Sequence, residues 1–144
     1  MPKQKKLDDM YMAIAEEVST LSNCKRKKVG SIIVNDNNIL SMGYNGTPSG
    51  FDNECENNDK TYWWVLHAEA NAIVKMVRVT SESTEGSTLY TTCSPCKECA
   101  KLIIQAGITR LLYRDVYRDE PQLAYQALDL LKQADIEVSG VLKY

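Results

Sequence analysis

The chain has 144 residues, a length that suits one compact domain, and its 44% hydrophobic content can fill a single core. Its net charge is −2, whereas a domain that holds a polynucleotide usually carries a basic excess. No stretch approaches the roughly 20 apolar residues of a membrane-spanning helix, and no apolar core follows the charged start to make a signal peptide. We therefore expect one domain over residues 1–144, in a cytoplasmic protein that binds neither a polynucleotide nor a membrane.

The five cysteines, at positions 24, 55, 93, 96 and 99, are an odd number in a chain with no sign of export. Reduced thiols that bind a metal or fill the core fit this pattern better than a disulfide scaffold does. For Cys93 a small packed side chain is the simpler interpretation than a ligand.

The first half of the chain predicts a helix followed by a hairpin. Apolar residues from Leu7 to Leu21 recur every three or four positions, which indicates an amphipathic helix. Strand-like segments follow at 29–34 and 39–44, joined by four polar residues that suit an antiparallel hairpin. Residues 45–61 are rich in Gly, Asn, Asp and Pro and predict one long loop, of a kind that is often functional.

The second half predicts strands that alternate with helices. Pro95 is placed to open a helix and Gly107 to end it. The predicted elements are a helix over 65–77, a strand over 88–92, this proline-led helix, a strand over 108–113, a helix with apolar positions from 123 to 134, and a strand over 136–142. Alternation requires crossover connections, so these later strands should be parallel. The sequence therefore predicts a three-layer α/β/α fold around a mixed sheet.

Two short motifs combine into a candidate zinc site. His67, the single histidine of the chain, stands two residues before Glu69, and Pro95-Cys96-Lys97-Glu98-Cys99 follows after another predicted strand. A helix start favours thiolates, and Cys96 and Cys99 at this spacing face the same way. A redox Cys-x-x-Cys motif would have the same spacing, but it would not explain the His-x-Glu segment.

The donor set indicates a catalytic ion. One neutral imidazole and two thiolates cancel the charge of Zn²⁺, and three protein ligands leave the fourth tetrahedral position for water, whose pKa falls towards neutrality. Glu69 is then a carboxylate beside the metal that is not itself a ligand, so it can move protons. The alternative for Glu69 is an ordinary helix-surface glutamate. The pattern matches the known signature of zinc nucleobase deaminases.

Four segments resemble deoxycytidylate (dCMP) deaminases more specifically: residues 29–34, 43–50, 67–73 and 95–108. The metal motif belongs to the whole deaminase superfamily, whereas the loop Gly43-Tyr44-Asn45-Gly46-Thr47-Pro48 is similar to this family. The resemblance implies a cytidine deaminase-like fold with a mixed five-stranded sheet. It also implies hydrolytic deamination of dCMP to dUMP with release of ammonia, which supplies the precursor for dTMP synthesis.

The resemblance also suggests how a nucleotide is bound. Arg26 is the candidate phosphate clamp because a guanidinium fork matches phosphate oxygens. Ser22 and Tyr117 are further candidate phosphate contacts, Asn45 is expected at the sugar, and Ala68 belongs to the same substrate-binding set. The alternatives are a turn asparagine at Asn45 and a solvated edge for the basic run 25–28.

Regulation and assembly are further implications of the resemblance. Family members are commonly hexamers that dCTP activates and dTTP inhibits, with Mg²⁺ at the triphosphate. Glycines let backbone N–H groups approach a phosphate closely, so Lys28, Gly43, Asn45 and Gly46 are the candidate regulator site.

The chain departs from some members in its second metal site. Those members hold a structural zinc with additional histidines, but here no histidine remains to join Cys24 and Cys55. We therefore expect one zinc ion per chain.

Two other functions stay open from the sequence. A deaminase of polynucleotides shares the metal motif, and Trp63 and Trp64 could stack on bases, although paired tryptophans more often serve packing or subunit contacts. A metal-binding interaction protein without activity is the other. The net charge and the nucleotide-type loop argue against the first, and an intact Glu69 with three ligands argues against the second.

Overall fold

A computed structural model describes residues 3–117 and 121–141. Its helices are α1 (Lys3–Ser19), α2 (Ala68–Val79), α3 (Lys97–Gln105) and α4 (Pro121–Gln133). Its strands are β1 (Gly30–Asn35), β2 (Asn38–Tyr44), β3 (Glu56–Asn57), β4 (Lys60–Thr61), β5 (Thr88–Cys93), β6 (Arg110–Asp115) and β7 (Glu137–Gly140). No helix in these ranges is both long and apolar enough to cross a bilayer.

Five strands form one mixed sheet in the order β2-β1-β5-β6-β7. Strand β1 is antiparallel to both β2 and β5, whereas β5, β6 and β7 are parallel to one another. The parallel part follows from the crossover helices α3 and α4, which return the chain to the same edge. The predicted mixed five-stranded α/β sheet is therefore confirmed.

Helices cover both faces of this sheet. Helix α1 packs on one face, where Tyr11, Met12, Ala15 and Val18 meet residues of β1, β5 and β6. Helices α2, α3 and α4 pack on the other face around a larger apolar cluster that includes Ile33 and Leu111. Successive strand residues point to opposite faces, so neighbours in β1 and β5 serve different layers.

A buried ion pair ties α1 to the sheet. Arg110 donates from both terminal nitrogens to the two oxygens of Asp8, at 2.9 and 2.6 Å. The Tyr90 hydroxyl donates to Asp8 at 2.6 Å, and Gln4 does so at 3.0 Å. Burial opposes ionisation of Asp8, but these hydrogen bonds outweigh it and lower the pKa of the carboxyl. This cluster stabilises the packing of α1 on the sheet.

Several predicted boundaries differ from the structure at polar segments. The predicted loop over 45–61 contains the hairpin β3–β4, which turns at Asn58 and Asp59, both with positive φ. Asn and Asp tolerate this backbone region, as Asp36 and Asn37 do in the turn between β1 and β2. Helix α2 begins at Ala68, three residues later than predicted. Strand β7 ends at Gly140, and the predicted strand end at Leu142 lies outside the described residues.

Candidate metal centre and substrate pocket

Two helix starts bring the three predicted metal ligands together. His67 is the N-cap of α2, and Cys96 is the N-cap of α3. The Cys96 sulfur accepts the backbone N–H of Cys99 at 3.4 Å, which is the capping bond that an N-cap side chain usually makes. Because the chain leaves the β5 end directly before α3, the sulfurs lie beside the start of α2.

The three side chains converge on one point. The Nδ1 atom of His67 lies 3.4 Å from the sulfur of Cys96 and 3.4 Å from that of Cys99. In a tetrahedral zinc site, Zn–N and Zn–S bonds of the usual lengths put nitrogen and sulfur about 3.5 Å apart. The donor atoms are therefore spaced to hold a zinc ion without rearrangement, and the fourth direction is left to a non-protein ligand.

The electrostatics of the pair of cysteines favour one anion even without a cation. The hydrogen bond from Cys99, with a further contribution from His67, lowers the pKa of Cys96 to about 3. The same shared hydrogen bond raises the pKa of Cys99, and burial raises it further. The interaction with Cys96 raises the pKa of His67. The site thus attracts positive charge.

Glu69 is the second residue of α2, two positions after the candidate ligand His67. Its side chain is buried at 4% exposure, and burial raises the pKa of the carboxyl above its ordinary value. The carboxyl is hydrogen-bonded to the Cys99 thiol. Its Oε1 atom also lies 3.4 Å from the hydroxyls of Ser31 and Thr91. Glu69 is therefore a core residue in contact with the metal centre, and the alternative of a helix-surface glutamate is wrong.

A cavity of about 660 Å³ opens onto the centre, a size typical of small-molecule sites. His67, Ala68, Glu69 and Cys96 line it, so a bound molecule meets the candidate metal and carboxyl together. The other predicted substrate residues on its wall are Arg26, Asn45 and Tyr117.

The basic run before β1 supplies two cations to the pocket wall. Arg26 donates to the Thr61 hydroxyl at 3.3 Å. The Lys27 ammonium lies 5.3 Å from the centre of the Tyr117 ring, within the range of a cation–π contact. Tyr117 is held in turn by its backbone N–H, which donates to the Ser94 hydroxyl at 3.0 Å.

Asn45 and Ser22 organise this wall from behind. The Asn45 side chain accepts from the N–H of Val29 and donates to the carbonyl of Lys27, both at 2.8 Å. The Ser22 hydroxyl donates to the Asn45 carbonyl at 2.8 Å and accepts from the N–H of Cys24. Ser22 is 3% exposed and is absent from the described residues that line the pocket. Asn45 therefore borders the cavity, whereas Ser22 supports it.

The predicted regulator residues do not share one described cavity, since Asn45 alone among them lines the pocket. A Cβ at Gly43 would lie 2.4 Å from the Ala72 nitrogen, so this glycine permits close packing of β2 on α2. The N–H of Gly46 donates to the Leu66 carbonyl at 3.1 Å. The ammonium of Lys28 donates to the Ser22 carbonyl.

Cys24 and Cys55 form a disulfide, with Cα atoms 5.1 Å apart. The prediction of reduced thiols is wrong for this pair, because the hairpin β3–β4 brings Cys55 against the segment before β1. Next to the disulfide, Glu56 accepts the backbone N–H of Lys25 at 2.7 Å. Cys93 is buried and unbridged, as predicted, although it also borders the pocket.

The aromatic run before α2 is partly packed. Tyr62 stacks on Trp64 with ring centres 4.3 Å apart, and Trp63 meets Trp64 edge-on at 5.8 Å. Trp63 itself is 89% exposed. Packing therefore accounts for Trp64 and leaves Trp63 at the surface.

Sequence reasoning missed several pocket residues, chiefly Lys27, Thr61, Val65, Ser94 and Asp115. Lys27 carried a signal, since it stands beside Arg26 in the basic run. The others carried none, because their proximity depends on how distant segments pair.

Comparison with known proteins agrees with this site. Residues 5–114 match the family model for the cytidine and deoxycytidylate deaminase zinc-binding region. Deoxycytidylate deaminase of Enterobacteria phage T4 is 32% identical over 92% of this chain and 88% of its own length. The human deoxycytidylate deaminase is 38% identical over 79% of this chain and 68% of its own length.

A solved structure is more similar still. The dCMP deaminase of the cyanophage S-TIM5, crystallised with dCMP and dUMP, is 47% identical, covers 98% of this chain and 99% of its own, and superposes with a TM-score of 0.87. The predicted cytidine deaminase-like fold and the predicted deaminase class of hydrolase are thereby confirmed. The chain belongs to the cytidine and deoxycytidylate deaminase family.

Proposed function

We propose that this chain deaminates dCMP by hydrolysis and releases dUMP and ammonia. The observation that carries the proposal is the buried Glu69 carboxyl, which is hydrogen-bonded to the candidate zinc ligand Cys99 and lines the pocket with His67 and Cys96. The near-complete likeness to the cyanophage enzyme, which was crystallised with dCMP and dUMP, supports this substrate.

We assign zinc to His67, Cys96 and Cys99. Bound there, zinc supplies a Lewis acid and a water of lowered pKa at its fourth position. Glu69 takes a proton from the attacking water and delivers it to the ring nitrogen of cytosine. The same carboxyl then takes the second water proton from the hydroxyl that has added to the ring carbon and passes it to the departing amine. The carbon–nitrogen bond breaks as the carbonyl forms, and Glu69 ends in the state in which it began.

The raised pKa of Glu69 suits this exchange. A carboxyl whose charged form is disfavoured by burial accepts a proton more readily than an exposed one does. Ala68, beside it at the start of α2, is buried and is among the residues that line the pocket.

We assign the phosphate to the wall formed by Arg26, Lys27 and Tyr117. Arg26 offers a planar fork and Lys27 a compact charge, and both suit phosphate oxygens. Asn45 fixes the backbone that carries Lys27 and borders the cavity, which supports its assignment to the sugar. Ser22 contributes through Asn45.

A substrate panel tests the assignment. We expect ammonia release from dCMP at a much higher kcat/KM than from deoxycytidine or from a single-stranded oligonucleotide that contains cytosine. Arg26→Gln should raise KM for dCMP and leave turnover of deoxycytidine unchanged, because deoxycytidine has no phosphate to lose. Faster turnover of the oligonucleotide would indicate a polynucleotide deaminase, and zinc-loaded protein inactive on all three would indicate a metal-binding interaction protein.

We further propose one zinc ion per chain and a homo-hexamer. A second group of possible metal donors consists of Cys24, Cys55 and Glu56. Its two cysteines are joined in a disulfide and so offer no thiolate, which supports a single metal ion per chain. Metal analysis and light scattering test the two numbers. Two zinc ions per chain would show that the disulfide is open in solution.

Regulation by dCTP as activator and dTTP as inhibitor, each with Mg²⁺, completes the proposal, together with a cytoplasmic role in supplying dUMP for dTMP synthesis. The single domain over 1–144 belongs to it as well. Equilibrium binding of labelled dCTP and dTTP to Glu69→Ala tests regulation, since that variant binds without turning over. Lys28→Met should weaken this binding if Lys28, with Gly43, Asn45 and Gly46, forms the regulator site.

A further inference from the structure

Two buried hydroxyl residues stand opposite one another in the middle of the sheet. Ser31 on β1 and Thr91 on β5 are register partners in an antiparallel pair, and neither has exposed surface. Directly opposed side chains in such a pair lie close enough to bond. A buried hydroxyl is costly unless it is hydrogen-bonded, so the partners of these two groups are informative.

The hydroxyls of Ser31 and Thr91 share one neighbouring carboxylate oxygen. The Ser31 hydroxyl lies 3.0 Å from that of Thr91, which also lies 3.0 Å from the Cys93 carbonyl. Both hydroxyls then lie 3.4 Å from Oε1 of Glu69. Each hydroxyl has a single proton, so while Ser31 donates to Thr91, the Thr91 proton can be given to the Cys93 carbonyl or to Oε1.

The pair acts from behind the reaction site. Neither Ser31 nor Thr91 is among the described residues that line the pocket. The Cys99 thiol is also hydrogen-bonded to the carboxyl of Glu69. The carboxyl thus interacts both with a candidate zinc ligand and with two hydroxyls that do not line the pocket.

We propose that Ser31 and Thr91 are positioning residues, which fix the orientation of the Glu69 carboxyl for proton transfer to cytosine. The inference rests on the proposed function, in which Glu69 carries the protons. A catalytic side chain must be held in position by neighbouring residues, because a displacement of about 1 Å can reduce the reaction rate by about 100-fold. Cross-strand hydroxyl pairs can also serve stability alone, and the experiment must separate these two roles.

The test compares Thr91→Val, which keeps the shape but removes the hydroxyl, with Thr91→Ser, which keeps the hydroxyl. Ser31→Ala is an independent second variant that removes few atoms. With dCMP as substrate, we expect kcat to fall about 10-fold in Thr91→Val and in Ser31→Ala, while KM changes less than about 2-fold. Thr91→Ser should stay within about 3-fold of the wild type.

Two further readouts exclude a general structural defect. Zinc content, and the visible spectrum of the cobalt-substituted protein, should be unchanged in each variant because no metal ligand is altered. In a Glu69→Gln background, Thr91→Val should reduce the residual turnover no further, because residues that act through one group are not additive.

Three results would overturn the proposal. If kcat is unchanged in both Thr91→Val and Ser31→Ala, the two hydroxyls serve stability alone. An equal loss in Thr91→Ser and Thr91→Val would show that shape matters instead of the hydroxyl. An additive loss in the Glu69→Gln background would show that Thr91 does not act through Glu69. Absence of dCMP turnover in the zinc-loaded wild type would instead remove the proposed function, and the inference with it.

Discussion

Two carboxylates are buried among the described residues, one on each face of the sheet, and their hydrogen-bond partners differ. Asp8 on the α1 face is 7% exposed and receives a two-pronged bond from Arg110. Glu69 on the α2 face is 4% exposed and lies beside two hydroxyls and a thiol. The pKa of Asp8 is lowered, whereas that of Glu69 is raised.

Adjacent residues of one strand serve the two carboxylates. Tyr90 and Thr91 follow one another in β5, and alternation sends Tyr90 to Asp8 and Thr91 to Glu69. A fixed guanidinium partner makes Asp8 a permanent anion that holds two layers together. Glu69 has hydroxyl and thiol partners in place of a guanidinium, so its carboxyl can exchange a proton. Burial therefore serves stability at Asp8 and, in the proposed function, chemistry at Glu69.

Loss of a zinc ligand should have the largest effect, and only on the Glu69 side. Cys99→Ala leaves two donors, so we expect zinc affinity to fall by more than about 100-fold, beyond the loss seen for supporting groups, and turnover to vanish. Zinc content measured after gel filtration checks this. Cys93→Ala is the matched control, because it removes a neighbouring buried thiol that is not a ligand and should retain zinc.

Glu69→Gln should come next. We expect turnover of dCMP to fall by about 100- to 10,000-fold, since an amide cannot carry the proton, while zinc content and resistance to urea are kept. Asp8→Asn is the counterpart and should lose stability instead of turnover. Equal loss of turnover in the two variants would contradict the division of roles.

Arg110→Met should destabilise the fold without altering the site. It leaves Asp8 a buried anion with Tyr90 as its main remaining partner, so we expect a loss of about 2–4 kcal/mol in the free energy of unfolding, measured by urea titration. Lys101→Met is the control. It breaks the exposed pair of Lys101 and Glu98 and should cost at most about 1 kcal/mol.

Acid should reveal the smallest effect. Because the folded pKa of Asp8 lies below its ordinary value of 3.8, its stabilising contribution is complete above that value and is lost as the pH falls below it. We therefore expect the wild type to lose stability more steeply than Asp8→Asn in this acid range. Parallel curves of unfolding free energy against pH would show that the ion pair is not maintained.

The chemistry near the helix starts could be predicted from the sequence because it is local. His67 and Glu69 are two residues apart, and Cys96 and Cys99 are one turn apart, so spacing alone places each pair. We expect the two pairs to lie together because one imidazole and two thiolates make a complete set of protein ligands for a catalytic zinc ion. The alternating strands and helices likewise predicted the mixed sheet, and Gly107, with a φ of 77°, follows the end of α3 as expected.

Long-range pairing set the limit of prediction. Cys24 and Cys55 are 31 residues apart, and spacing alone does not reveal which cysteines are bridged. Ser31 and Thr91 meet because of strand register, and Lys27 enters the pocket because Asn45 holds its carbonyl. Ser22 has the hydroxyl that a phosphate contact requires, but the fold turns it inward to Asn45.

Incubation of the zinc-loaded wild type with dCMP in water enriched in heavy oxygen tests the central claim most directly. We predict one ammonia released for each dUMP formed, with a single heavy oxygen in the uracil ring, because water is the nucleophile. Release of ammonia without heavy oxygen in the product would contradict hydrolytic deamination, and absence of dUMP would contradict the proposed activity itself.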